Sequence, residues 1–281
     1  MSEAAPPDFI IIGAMRAGTT ALAERLSRHP DIAMSRLKET DYFIAEKNYD
    51  RGPDWYRSLF DPMRPIRGEA SPNYTKNDVF TGVPQRIRAA RPDVKLIYIV
   101  RDPVERFWSH YNHTYLMRGG LPSPDDLLEE REGAHILASS MYRRQLDAYL
   151  RVFPAEQIRV IDLDDFAFNA PRTLDEVCRF VGATPDVHIA GADAANSAES
   201  LAKTPGWALK ISQHKALVGL RAKLPADVKD RMRRALSRVQ AQPRQTPPIS
   251  QEARRRVSDA LADDAAQFRA LTGRSFERWS V

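Results

Sequence analysis

Residues 9–12 are four apolar residues in a row, Phe-Ile-Ile-Ile, and they run directly into Gly13. From there the chain reads GAMRAG to Gly18, then two threonines, then Leu22 and Leu26 one helical turn apart. An unbroken apolar run of strand length implies burial on both faces. A strand of that kind, turning on glycine and restarting as a helix, has few homes. It belongs in an α/β fold, where crossover helices cover both faces of a parallel sheet.

The rest of the chain keeps this alternation. Short strands are predicted at 31–35 (DIAMS) and 65–71 (PIRGEAS), the clearest strand at 94–100 (VKLIYIV), and another at 158–163 (IRVIDL). Helices are predicted at 54–60, 78–92, 101–120, 139–153 and 170–182. Asp102, Pro103 and Glu105 supply N-cap, N1 and N3 of the third of these, a capping box with proline in its favoured place. The stretches 119–138 and 184–205 read as loops. The remainder is predicted helical apart from a Pro-rich linker at 241–250. The expectation is one domain over 1–281, a three-layer α/β fold with a helical C-terminal region from about 203.

Composition narrows the class further. No apolar run approaches the roughly 20 residues that a helix needs to cross a bilayer, and the first nine residues lack a secretion signal. One cysteine, Cys178, leaves no internal disulfide and no Cys-rich metal site, so a cytoplasmic protein is expected and Cys178 is predicted on a buried helix face. The net charge of +5 is uneven: 203–256 holds 14 Lys and Arg against 3 Asp and Glu, a local net of +11, while the rest nets −6. That segment is either a set of solvated helix faces or a landing surface for an anionic polymer or membrane. Nothing points to a specific nucleic-acid target.

The turn at 13–18 has the glycine spacing of a nucleotide P-loop, G-x-x-x-x-G-K-[ST], but Thr19 stands where that lysine belongs. Arg16 lies inside the loop, and the strand 94–100 is followed by Arg101 rather than by a metal-binding acid. A loop at a helix N-terminus welcomes an anion through its N–H groups and the helix dipole. This one is equipped for a phosphate group without a metal-bound triphosphate. Arg101 and Ser109 form a second anion site by the same logic, a guanidinium at a strand end and a hydroxyl on the next helix.

Together these stretches carry a family resemblance. GAMRAGTT resembles the 5′-phosphosulfate loop, and RDPVERFWSHY the 3′-phosphate motif, of sulfotransferases that use 3′-phosphoadenosine 5′-phosphosulfate (PAPS). The resemblance implies PAPS as sulfuryl donor, no metal, and cofactor binding by Arg16, Ala17, Gly18, Thr19, Thr20, Arg101 and Ser109, with Arg16 in place of the family's usual lysine. RLKETDYFIAEKNYDRGPDWYRSLF resembles the carbohydrate branch, exemplified by heparan sulfate sulfotransferases. Glu39 falls on that branch's catalytic glutamate, Tyr42 and Phe43 on its aromatic pair, and Trp55-Tyr56 on its WY. In GEASPNYT, Glu69, Pro72 and Tyr74 match the segment E-K-[ST]-P-x-Y, whereas Ala70 replaces its lysine and leaves Lys38 as the compensating cation.

The same resemblance implies an in-line transfer of a sulfuryl group to a hydroxyl, or an amine, of a carbohydrate-like or small-molecule acceptor, a glycan or glycolipid among them. Glu39 is the expected general base, Lys38 and Arg16 the assisting cations, and Tyr42, Phe43 and Tyr74 the substrate-binding side chains. His110 and His113 are rival bases. Trp108, Tyr111 and Tyr115 recur at helical spacing and read as core. Residues 196–203 are the candidate adenosine-contacting loop, and 44–62, 119–138 and 184–206 the loops that set acceptor specificity. Two other classes stay open on the sequence: a P-loop small-molecule kinase, against which the missing lysine argues, and a non-enzymatic polyanion- or nucleotide-binding module.

Overall fold

Side chains alternate across a strand, and here both faces of the alternation are buried. The computed structural model describes residues 7–187 and 245–281. The strands among the described residues are β1 (Phe9–Gly13), β2 (Ile32–Met34), β3 (Ile66–Ala70), β4 (Lys95–Val100) and β5 (Ile158–Asp162). They form one sheet in the order β2-β3-β1-β4-β5 with every pairing parallel. Ile10 and Ile12 of β1 and Leu96, Tyr98 and Val100 of β4 face one layer; Phe9, Ile11, Ile97 and Ile99 face the other.

The helices complete the sandwich. They are α1 (Thr19–Leu26), α2 (Gly52–Arg57), α3 (Val83–Ala90), α4 (Pro103–Arg118), α5 (Arg131–Ala138), α6 (Tyr142–Leu150), α7 (Leu163–Phe168), α8 (Ala170–Val181) and α9 (Gln251–Thr272). Val83 and Ile87 of α3, Leu146 and Tyr149 of α6 and Phe268 of α9 cover the first face. Leu22 and Leu26 of α1 and Leu174, Val177 and Cys178 of α8 cover the second. A satellite core ties α4 and α5 to the first half of α9 through Phe107, Trp108, Tyr111, Ile136, Val257 and Leu261. Three layers around a parallel sheet is the predicted architecture, and Cys178 lies where the helical pattern put it.

Two readings need correction. The stretch 119–138 is not all loop, because α5 occupies its second half. The helix predicted from 78 starts only at Val83, after Gly82 at φ 72, since the residues before it form a separate turn. Asp102 caps α4 as predicted, its Oδ1 accepting from Glu105 N at 2.8 Å. The candidate adenosine loop, 196–203, and most of the basic segment lie outside the described residues.

The chain runs out from β1 to β2 and β3 on one side, then crosses back to β4 and β5 on the other. Adjacent strands whose connections leave in opposite directions open a crevice at their C-terminal ends. Here those strands are β1 and β4, and the two anion-binding stretches leave from them.

Candidate active site

The first loop is held at both ends. Ala14 N donates to Ile99 O at 2.7 Å, which ties its start to β4. Gly18 closes it at φ 93, a left-handed value at the N-cap of α1 that a side chain resists. Arg16 takes φ 69 without being glycine, a strained conformation of the kind that functional loops retain. Its Nε donates to Ser109 Oγ at 3.2 Å, joining residues 93 apart. Burial lowers the Arg16 pKa, and the positive charge of Arg101 adds to it. Both predicted anion stretches therefore converge on one crevice.

Behind the loop lies Arg106, with no exposed surface. It donates to Ser140 Oγ at 2.8 Å, Ile136 O at 2.8 Å, His110 Nδ1 at 3.1 Å and Met15 O at 3.4 Å. The last contact braces the phosphate loop from behind. Burial pulls its pKa down to about 10. None of the ion pairs among the described residues uses Arg16, Arg101 or Arg106. Buried charge without a counter-ion is costly, and a donor set of guanidinium groups, hydroxyls and N–H groups with no carboxylate suits a polyanion carrying separate phosphate groups. Among the described residues no cluster of His, Cys, Asp or Glu is placed to hold a metal ion.

The second wall is the turn at 38–44. Glu39 and Asp41 both have left-handed backbones, φ 57 and 47, and the segment is pinned to the chain after β3. Asp41 N donates to Ser71 Oγ at 3.1 Å, Phe43 N to Tyr74 Oη at 3.2 Å, and Asn48 Nδ2 to Thr40 O at 2.7 Å. The Thr40 hydroxyl donates to Glu69 Oε2. Glu69 is sealed from solvent with its other oxygen unpartnered, and burial pushes its carboxyl up to about 7. Glu39 itself is partly exposed, with Lys38 Nζ 4.0 Å from its Oε1.

The histidines lie between the walls. His110 is buried, and burial together with Arg106 holds its pKa well below the usual range. His113 is pushed down to about 4, by burial first and then by Arg16, Lys76 and Lys38. Those three cations belong to the phosphate loop, the turn after β3 and the Glu39 turn.

Several expectations change. Phe43 and Tyr74 have no accessible surface and Tyr42 is 6% exposed. The Tyr42 ring stacks on Tyr56 at 4.2 Å and Phe43 packs edge-on against Tyr74. These rings form the packed support of the Glu39 turn. Lys38 is largely exposed, which leaves it poorly held for the role that Ala70 vacates. The sequence patterns single out neither Arg106 nor Lys76. Arg106 falls on the buried stripe of α4, one turn before His110, and an arginine on an otherwise buried helix face is a readable signal; Lys76 has none. A cavity of about 610 Å³ opens elsewhere, at the edge of β5, lined by Leu150, Val160, Phe168, Leu271 and Arg274 among others; none of the motif residues reaches it.

A parallel sheet with two anion stretches converging at its strand ends defines a class, α/β proteins that hold anionic groups there. Residues 6–203 match the sulfotransferase domain family, and the chain belongs to it. It is 31% identical over 193 residues to human heparan sulfate glucosamine 3-O-sulfotransferase 5, covering 64% of this chain and 55% of that protein. To mouse heparan sulfate glucosamine 3-O-sulfotransferase 3B1 it is 32% identical over 184 residues, covering 63% of this chain and 46% of that one. The chain thus spans about half the length of the curated relatives it matches. Among solved structures, a sulfotransferase from Alicyclobacillus acidocaldarius shares the fold, with a TM-score of 0.64, 24% identity, and coverage of 98% of this chain and 100% of that one.

Proposed function

We propose that this chain transfers a sulfuryl group from PAPS to a hydroxyl of a carbohydrate-like acceptor, with Glu39 taking the hydroxyl proton. The observation that carries the reading is the Arg16–Ser109 bond, which brings two anion sites from distant parts of the chain into one crevice. The donor supplies a sulfuryl group already activated by its anhydride link to phosphate. The protein supplies position and charge. Loop N–H groups, Arg16 and the Thr19 and Thr20 hydroxyls face negative charge growing on the leaving phosphate, while Arg101 and Ser109 hold the separate 3′-phosphate.

Glu39 suits the proton better than the histidines. His113 would gain a positive charge beside Arg16, Lys76 and Lys38, a protonation that burial and those cations oppose. His110 Nδ1 is already engaged by Arg106. The acceptor class rests on the similarity to 3-O-sulfotransferases of heparan sulfate. Glu39→Gln keeps the shape and removes the base. It should lower turnover of a heparan sulfate oligosaccharide by roughly 10²–10⁴-fold, with binding of adenosine 3′,5′-bisphosphate unchanged by calorimetry. Undiminished turnover in that variant assigns the proton to another group.

A further inference from the structure

Lys76 is a buried lysine that no motif accounts for. It ends the 3₁₀ turn Pro72–Thr75 and is 9% exposed. The residue before it touches the phosphate loop: a Cβ on Gly13 would lie 2.1 Å from Thr75 Oγ1. The turn after it is fixed, since Asn77 N donates to Gln145 Oε1 at 3.0 Å and Asn77 Nδ2 to Gln145 O at 2.9 Å. The backbone at Lys76 is therefore held beside the start of the loop.

Its surroundings are mostly of its own sign. Arg106 and Lys47 repel it, Asp41 and Glu39 oppose them more weakly, and its charge is felt in turn by His110, His113 and His135. Asp41 is already engaged by Lys47 and by Asn73. No hydrogen bond or ion pair to the Lys76 ammonium occurs among the described residues, yet its Nζ is not among the atoms sealed from solvent without a partner. A desolvated cation among cations, unpaired by any described residue, favours an anion beside it.

We propose that Lys76 binds the terminal sulfuryl oxygens of PAPS, supplying from six residues along the chain the cation that Ala70 does not. The inference rests on the PAPS reading. Lys76 lies between the loop that would hold the leaving phosphate and the turn that carries Glu39, which is the path of the transferred group. The Thr75–Gly13 packing and the Asn77–Gln145 bonds hold its backbone there, so little reorganisation is needed when charge shifts during transfer.

The test is calorimetric and needs no acceptor. PAPS and its desulfated product, adenosine 3′,5′-bisphosphate, differ by the sulfuryl group alone. Lys76→Met should weaken PAPS binding at least tenfold and bisphosphate binding less than threefold, with a melting temperature no lower than wild type, because an unpaired buried charge has been removed. Lys76→Arg should restore the preference for PAPS. In the wild type that preference should also fade above pH about 8, where burial has brought the ammonium close to losing its proton. Equal weakening of both ligands, or unchanged binding of both, overturns the assignment while leaving the PAPS reading intact. A wild type that binds neither nucleotide overturns both.

Discussion

Glu69 illustrates how far a single side chain can depart from its ordinary chemistry here. A carboxyl with no exposed surface favours its neutral form, and burial raises its pKa to about 7. The folded state then holds a proton that the unfolded chain has lost, so this group's contribution is complete below pH about 4.5 and declines as pH rises to about 7. The full effect is about 3 kcal/mol. Glu69→Gln keeps the acceptor for Thr40 and removes the titration. Denaturant unfolding of the two proteins should show the variant gaining on wild type between pH 5 and 8; parallel profiles mean that Glu69 is ionised throughout. At this scale the sequence exposes some residues and hides others. Arg16, Ser109 and Glu39 stand inside recognisable local patterns. Lys76 and the isolation of Glu69 depend on chain brought from elsewhere, which no local spacing encodes.

Among the elements, α4 does the most positioning. Its N-terminus follows Arg101, its buried stripe carries Arg106 and His110, and its open face carries Ser109 and His113. Asp102 fixes its start twice over: Oδ1 accepts from Glu105 N and Oδ2 from Ser280 N, where the tail after α9 packs Trp279 against Tyr142 and Phe268. Asp102→Ala frees both N–H groups and should cost about 2 kcal/mol in denaturant unfolding. It should also weaken bisphosphate binding several-fold, through Arg101; a loss of stability with full affinity separates the cap from the site. The Asp-Pro-x-Glu cap is readable in sequence because its chemistry is local. The helix α5 is not, for a specific reason. Gly133 looks like a breaker, yet a Cβ there would sit 1.8 Å from Leu127 O, so glycine is present because the preceding turn packs onto the helix.

For the whole molecule, strand order decides where chemistry can occur. The apolar runs reveal β1 and β4 plainly, because strands buried on both faces carry no polar interruption. Their adjacency, and hence the crevice between the two anion stretches, is a property of topology that the local pattern does not contain. The family motifs anticipate it only because their order along the chain is fixed by that topology. The central claim is that this crevice holds a nucleotide with separate 3′ and 5′ anionic groups and needs no metal. Thermal unfolding with adenosine 3′,5′-bisphosphate, ADP or ATP, each with and without Mg²⁺, tests it most directly. Ligand at 100 times its dissociation constant adds about 2.7 kcal/mol to stability, a readily measured rise in melting temperature. The account predicts that rise with the bisphosphate, unchanged by Mg²⁺ and larger than with ADP or ATP. A Mg²⁺-dependent rise with ATP and none with the bisphosphate would contradict it.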